Sequence, residues 1–266
     1  SITIVYKPNC LAYSIPPITY GVLPDADLII DPAVSKKGVD FEGYCGAGIA
    51  YKIAELVIEG DLLKELTIIA AIGTIADAVP LIKDNRKIVK KGINYIREGY
   101  SPMGLKVLLK NLLIDEEHIS AEDIAFKVAP AFNAPGRLRD DGANLALNLL
   151  LSTDKEEANA LAEEIISLNE LRKELVEVAM SNTKSIIKSE GEVFSNPLIV
   201  VDDMPEGIVG IVAGQLAESY NRPTFILVKD KDGNYVTDWD FSDASEDLSD
   251  DNDWKFLLAQ NGEGTA

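Results

Sequence analysis

LTIIAAIGTIADAVPLI, residues 66–82 of this 266-residue chain, is almost entirely apolar, yet a carboxylate, Asp77, sits near its end. A carboxylate among such neighbours loses several kcal/mol of hydration unless a partner replaces the water. A helix N-terminus, a basic side chain and a metal ion each meet that demand. Gly73 and Thr74 predict a close turn just before it, and Pro80 stops a helix from running on. The residues alone leave two readings open, a buried Asp capping a helix and a metal ligand.

Outward from that stretch, Ile2-Thr3-Ile4-Val5 reads as a strand with no lead-in, which predicts that sequence upstream has been lost or was never made. Pro16, Pro17 and Pro24 mark a loop, and Ala26 to Pro32 reads as a second strand closed by proline. Tyr44-Cys45-Gly46-Ala47-Gly48 leads into a helix reaching about Glu59, with Ile49, Ile53, Leu56 and Val57 on one face. Gly46-Ala47-Gly48 is no dinucleotide loop, because no strand directly precedes it and Tyr51 stands where the third glycine belongs. Close helix packing is the better use of those small residues.

Downstream, Asn85 to Arg97 and Gly104 to Leu113 predict helices, and Ser120-Ala-Glu-Asp123 nearly matches a capping box. Pro130 to Arg137 predicts a loop, followed by a helix to about Leu151. Thr153-Asp-Lys-Glu156 reads as a capping box opening a long helix to about Lys188, with Ala158, Leu161, Ile165, Leu168, Leu175 and Val178 at three- and four-residue steps. Beyond Gly191 the pattern is strand, helix, strand, over Leu198 to Val201, Gly207 to Tyr220 and Phe225 to Val228. The expected fold is α/β in two unequal domains with a cleft between them. A larger parallel-sheet domain covers 1–152, a long connecting helix 153–190, and a smaller α/β domain with an acidic, divergent end 191–266.

A hydrophobic content of 47% is enough for a real core. No apolar run reaches the roughly 20 residues of a membrane span, and nothing resembles a leader peptide. Two cysteines without metal-type spacing, Cys10 and Cys45, make a reduced cytoplasmic setting the default. The single histidine, His118, excludes paired-histidine chemistry and reads as a surface residue among Asp115, Glu116 and Glu117. A net charge of −19 weighs against a polyanion as a strong partner.

Eight acids and no Lys or Arg fall between Val236 and Trp254. They do not form an EF-hand: starting at Asp238, position 6 is Asp243 and position 12 is Ser249. A solvated acidic surface is the plain reading. Interleaved Trp239, Phe241, Trp254 and Phe256 leave open a basic protein partner, DNA mimicry, or aromatics packed inward.

Six stretches together resemble the DHH phosphoesterase superfamily, and within it the RecJ single-stranded-DNA exonucleases. They are LPDADLIIDP, YCGAGIAYKIAELV, LTIIAAIGTIADAVPL, DIAFKVAPAFNAPGRL, the long helix and GIVGIVAGQLAESYNRPTFIL, in the family's order. The resemblance implies a DHH domain plus a DHH-associated domain, with two Mn²⁺ or Mg²⁺ ions between them driving 5′-to-3′ hydrolysis of single-stranded DNA. Asp77 matches the family's metal-binding aspartate, which implies a catalytic and metal-ligating role. Asn133, Gly136 and Arg137 match the loop that approaches the nucleic-acid backbone, where Arg137 grips a phosphate.

The departures fall on the chemistry. Lys7, Pro8 and Asn9 align with the Asp-His-His motif, and the earlier aspartate motifs would lie upstream of residue 1. Ala131 and Gln215 stand at arginine positions, and Met204-Pro205 replaces a Trp-His pair. Thr237 to Phe241 replaces a basic strand, and Asn261-Gly262-Glu263 a Gly-Gly-His motif. The expectation is a RecJ-like scaffold with impaired or absent catalysis, holding its metals weakly at best and with single-stranded-DNA binding weakened by its charge. The alternatives are an exonuclease completed by a missing N-terminal segment, and an acidic module for a basic protein. No membrane partner is expected.

Overall fold

Helix α2 (Asp61–Ala76) takes up most of the apolar stretch. Thr67 and Thr74 satisfy their buried hydroxyls by donating to the carbonyls of Leu63 and Ala70, at 2.7 and 2.6 Å. Gly73 and Thr74 therefore lie inside a helix and not in the expected turn. The glycine serves packing: a β-carbon on Gly73 would come within 2.6 Å of the Ala47 β-carbon. That contact is where α1 (Gly46–Ala54) meets α2. Cys45 caps α1, its Sγ accepting from the Gly48 N–H at 3.3 Å. The helix stops at Ala54 rather than near Glu59, and Leu56 and Val57 are exposed.

The turn comes at the end of α2. Asp77 is its C-cap, Ala78 takes φ +50°, and Val79 enters the core. Left-handed backbone costs an alanine about 1 kcal/mol, which burial of Val79 offsets. Helix α3 (Lys83–Arg97) then folds back along α2. Gly92 permits this approach, since Ala71 and the Thr67 carbonyl fill the space of its missing side chain.

The computed structural model describes residues 4–6, 28–30, 43–189, 197–229 and 235–240, and divides into two units, Ser1–Asn169 and Glu170–Ala266. In the first, β1 (Ile4–Tyr6) and β2 (Leu28–Ile30) pair in parallel, Ile4 opposite Leu28. The rest of its described structure is helical. Helices α4 (Met103–Asn111), α6 (Ala129–Leu138) and α7 (Gly142–Leu151) join α2 and α3 around Ile68, Ile96, Leu108, Ile124, Val128 and Leu149. At α5 (Ala121–Asp123) Ser120 and Asp123 form a complete capping box. Lys127 and Ser120 hold the Asp123 carboxyl down at about 2.

One wide π turn, Ile124–Val128, runs straight from α5 into α6. The expected loop at 130–137 is thus helix. Pro130 directly follows the π turn, and Pro135 lies within a turn of the end and forfeits one bond to the Ala131 carbonyl.

Helix α8 is Lys155–Ser189. No capping box forms at Thr153; the N-cap is one residue later, where Asp154 accepts from the Glu157 N–H at 2.8 Å and Ser152 donates to the Glu157 carboxylate at 2.6 Å. Ala158, Ala162 and Ile165 belong to the core of the first unit, and Val176, Ala179 and Ile187 to that of the second.

The second unit has strand order β3 (Leu198–Val201), β4 (Thr224–Lys229), β5 (Tyr235–Asp240), the first pair parallel and the second antiparallel. Helix α9 (Val209–Tyr220) follows a short 3₁₀ turn and buries Val212, Ala213 and Leu216 against β4 and β5. Of the eight clustered acids, Asp238 and Asp240 fall on β5, and the other six lie outside the described residues. No described helix is long and apolar enough to cross a membrane.

Gly73→Val is expected to lower the urea-derived unfolding free energy by about 2 kcal/mol through overpacking. Ala47→Gly in the same chain should recover part of that loss, so a double-mutant cycle gives a coupling of opposite sign to the single effects.

Candidate functional site

Asp77 ends α2, its N–H donating to the Gly73 carbonyl at 3.0 Å. The residue is exposed, so the buried capping aspartate of the sequence reading is not found, and it stands at a helix C-terminus rather than an N-terminus. Partial loss of hydration still raises the carboxyl above its ordinary value. The negative end of the helix dipole adds nothing that would steady its charge. Among the described residues no hydrogen bond or ion pair to this carboxylate is present. Fold stability therefore does not account for an aspartate here.

Helix α6 packs against α2. Asn133, Gly136 and Arg137 all lie on its exposed side, while Ala131, Ala134 and Pro135 are buried. A β-carbon on Gly136 would meet nothing within 4 Å, so packing does not require glycine there. A bare backbone on an open surface suits close approach by a ligand. Ala131, at 0% exposure, belongs to the core and offers no donor. His118 is exposed and sits 2.7 Å from the Asp115 carboxylate, a surface pair as expected.

The second unit has a groove of about 420 Å³ that the sequence reading missed. Arg172, Lys173 and Lys184 line it from α8 above Val176 and Met180, with Glu177 beside them and Gln215 from α9. Lys173 and Lys184 are three turns apart on one helix, a spacing that could have flagged a shared cationic face. Lys173 is paired with Glu170 at 2.8 Å, so Arg172 and Lys184 are the cations over that apolar floor that could meet a phosphate or a stacked base.

The chain is 35% identical over 210 residues to the single-stranded-DNA-specific exonuclease RecJ of Bacillus subtilis, across 79% of this chain and 26% of that protein. The RecJ of Thermus thermophilus is 34% identical over 216 residues, across 80% of this chain and 31% of the other. The chain is RecJ-like. A crystal structure of RecJ in complex with Mn²⁺ from Thermus thermophilus matches with a TM-score of 0.67 and 29% identity, over 85% of this chain and 32% of that one. One of exonuclease RecJ bound to manganese matches at 0.64 and 32%, over 78% and 52%. No family model matches. This RecJ-like chain spans between 26% and 40% of the length of the curated relatives it matches.

RecJ structures hold Mn²⁺ or Mg²⁺, so the residues of this RecJ-like chain can be tested against such ions. Each ion wants about six oxygen donors. Among the described residues no group of three or more His, Cys, Asp or Glu side chains converges to hold one. Asp77 supplies one carboxylate, and Lys7, Pro8 and Asn9 lie outside the described residues. The described residues do not fit a two-metal centre.

Because the folded chain raises the Asp77 pKa, the folded state holds that proton more tightly, and stability from this group falls as pH rises through the carboxylate range. In EDTA at about pH 7, Asp77→Asn is expected to melt at or above the wild-type temperature. The advantage should vanish below the carboxylate range, as thermal melts at the two pH values will show.

Proposed function

We propose that these 266 residues keep the RecJ-like framework for gripping single-stranded DNA but do not by themselves assemble its hydrolytic metal centre. The carrying observation is the solitary carboxylate of Asp77, with no converging partner among the described residues. The relatives are exonucleases specific for single-stranded DNA. In this chain Asp77 is the remaining metal-ligating and catalytic position, and Asn133, Gly136 and Arg137 on α6 receive the sugar-phosphate backbone. The α8 groove, through Arg172 and Lys184, adds a second cationic contact. Residues 1–152 form the DHH-like part, 153–190 the connecting helix and 191–266 the DHH-associated-like part.

This chain's own residues then bind and orient a strand, and nothing among the described residues activates water. Incubation with 5′-phosphorylated single-stranded DNA and Mn²⁺ is expected to release no mononucleotides. Release that disappears in Asp77→Ala would overturn the proposal.

A second reading rests on the short span of the relatives that the chain covers: the missing ligands come from another polypeptide. Activity appearing only on mixing with a separately made RecJ N-terminal fragment, and lost in Asp77→Ala, would favour it.

A further inference from the structure

We infer that the outward face of α3 is a second track for the phosphate backbone of a single nucleic-acid strand, an inference that rests on the single-strand reading above. In a chain of net charge −19, α3 carries Lys83, Arg86, Lys87, Lys90, Lys91 and Arg97 against one acid, Asp84. Two are committed elsewhere: Arg97 donates to the Ile119 carbonyl at 2.7 and 3.1 Å, and Lys87 pairs with Asp84 at 2.9 Å. Arg86, Lys90 and Lys91 are exposed, and among the described residues none has a hydrogen-bond or ion-pair partner.

Helix stability opposes this arrangement. Cations in a first turn face the positive end of the dipole. Like charges four residues apart, as in Lys83-Lys87-Lys91 and Arg86-Lys90, repel each other. For Arg86 and Lys90 no local partner offsets that cost, which points to a ligand that the charges serve.

Their spacing fits that ligand. Each four-residue step advances about 6 Å along the axis, comparable to the interval between phosphates on an extended single strand. Beside the row, a groove of about 260 Å³ runs along α1 and α3, with Tyr51, Lys52, Lys87 and Lys91 among its walls. Its two acids are already engaged: Glu55 accepts from Lys52 at 2.6 Å and Tyr51 at 3.0 Å, and Asp84 accepts from Tyr44 at 2.7 Å and from Lys87. The row begins one short connection after Asp77 and leads away along α3. A strand presented at the Asp77 end of this helical hairpin therefore meets it.

The test is titration of a fluorescent, 5′-phosphorylated oligothymidylate with the full chain across a KCl series. A single strand gives a log–log salt slope of about −0.7 per phosphate neutralised. The triple variant Arg86→Gln/Lys90→Gln/Lys91→Gln is therefore expected to flatten the slope by about 2 while melting at or above the wild-type temperature. Lys90→Arg/Lys91→Arg should keep the wild-type slope. An unchanged slope in the triple variant, with the wild type binding and Arg172→Gln/Lys184→Gln weakened, overturns this inference alone. No binding by the wild type overturns the single-strand reading with it. Salt-sensitive self-association that the triple variant abolishes, with its DNA slope unchanged, would make the partner an acidic segment of a second copy and would also overturn the inference.

Discussion

The near-contact of helix backbones at Gly73 and Gly92 is the constraint on which the first unit depends. Each glycine leaves out a side chain where a neighbouring helix already stands, Ala47 on one side of α2 and Ala71 with the Thr67 carbonyl on the other. Three helices therefore lie together with their apolar faces shared, and α2 can end only where the close approach releases it. That end is Asp77. The position of the carboxylate follows from packing, while its chemistry does not, since nothing in the fold gains from a charge at a helix C-terminus.

Charge is distributed against its average. The chain is strongly acidic, yet α3 and the middle of α8 each gather cations on one face. Both helices also bury an apolar face, so the cations are confined to what remains and cannot disperse. Amphipathic packing thus helps to focus the field.

Much of the fold was legible in the sequence because its periodicities are strong. Leu198 to Val201 is the strand it promised, and Asn85 to Arg97 the helix. Glycine and proline misled. Gly73 reads as a turn residue when only the facing Ala47 makes it a packing residue, and that neighbour is close in space rather than in sequence. Pro130 and Pro135 read as loop because a linear rule does not see that Pro130 follows a widened turn and that Pro135 falls near a helix end. At the site, motif resemblance picked out Asp77 and the exposed side of α6. It passed over Arg172 and Lys184, which line one groove from places more than three turns apart on α8, with Gln215 from another element.

The π turn at Ile124–Val128 has a consequence for that exposed side of α6. It amounts to one surplus residue in an otherwise continuous helical run. Each residue of an α-helix turns the chain by about 100°. Losing the surplus would swing everything beyond it by that angle and put each residue in its predecessor's place, carrying Gly136 to the buried place of Pro135 and Ala134 to the exposed place of Asn133. The widened turn is thus a rotational offset written into the backbone, and it fixes which edge of α6 the solvent meets.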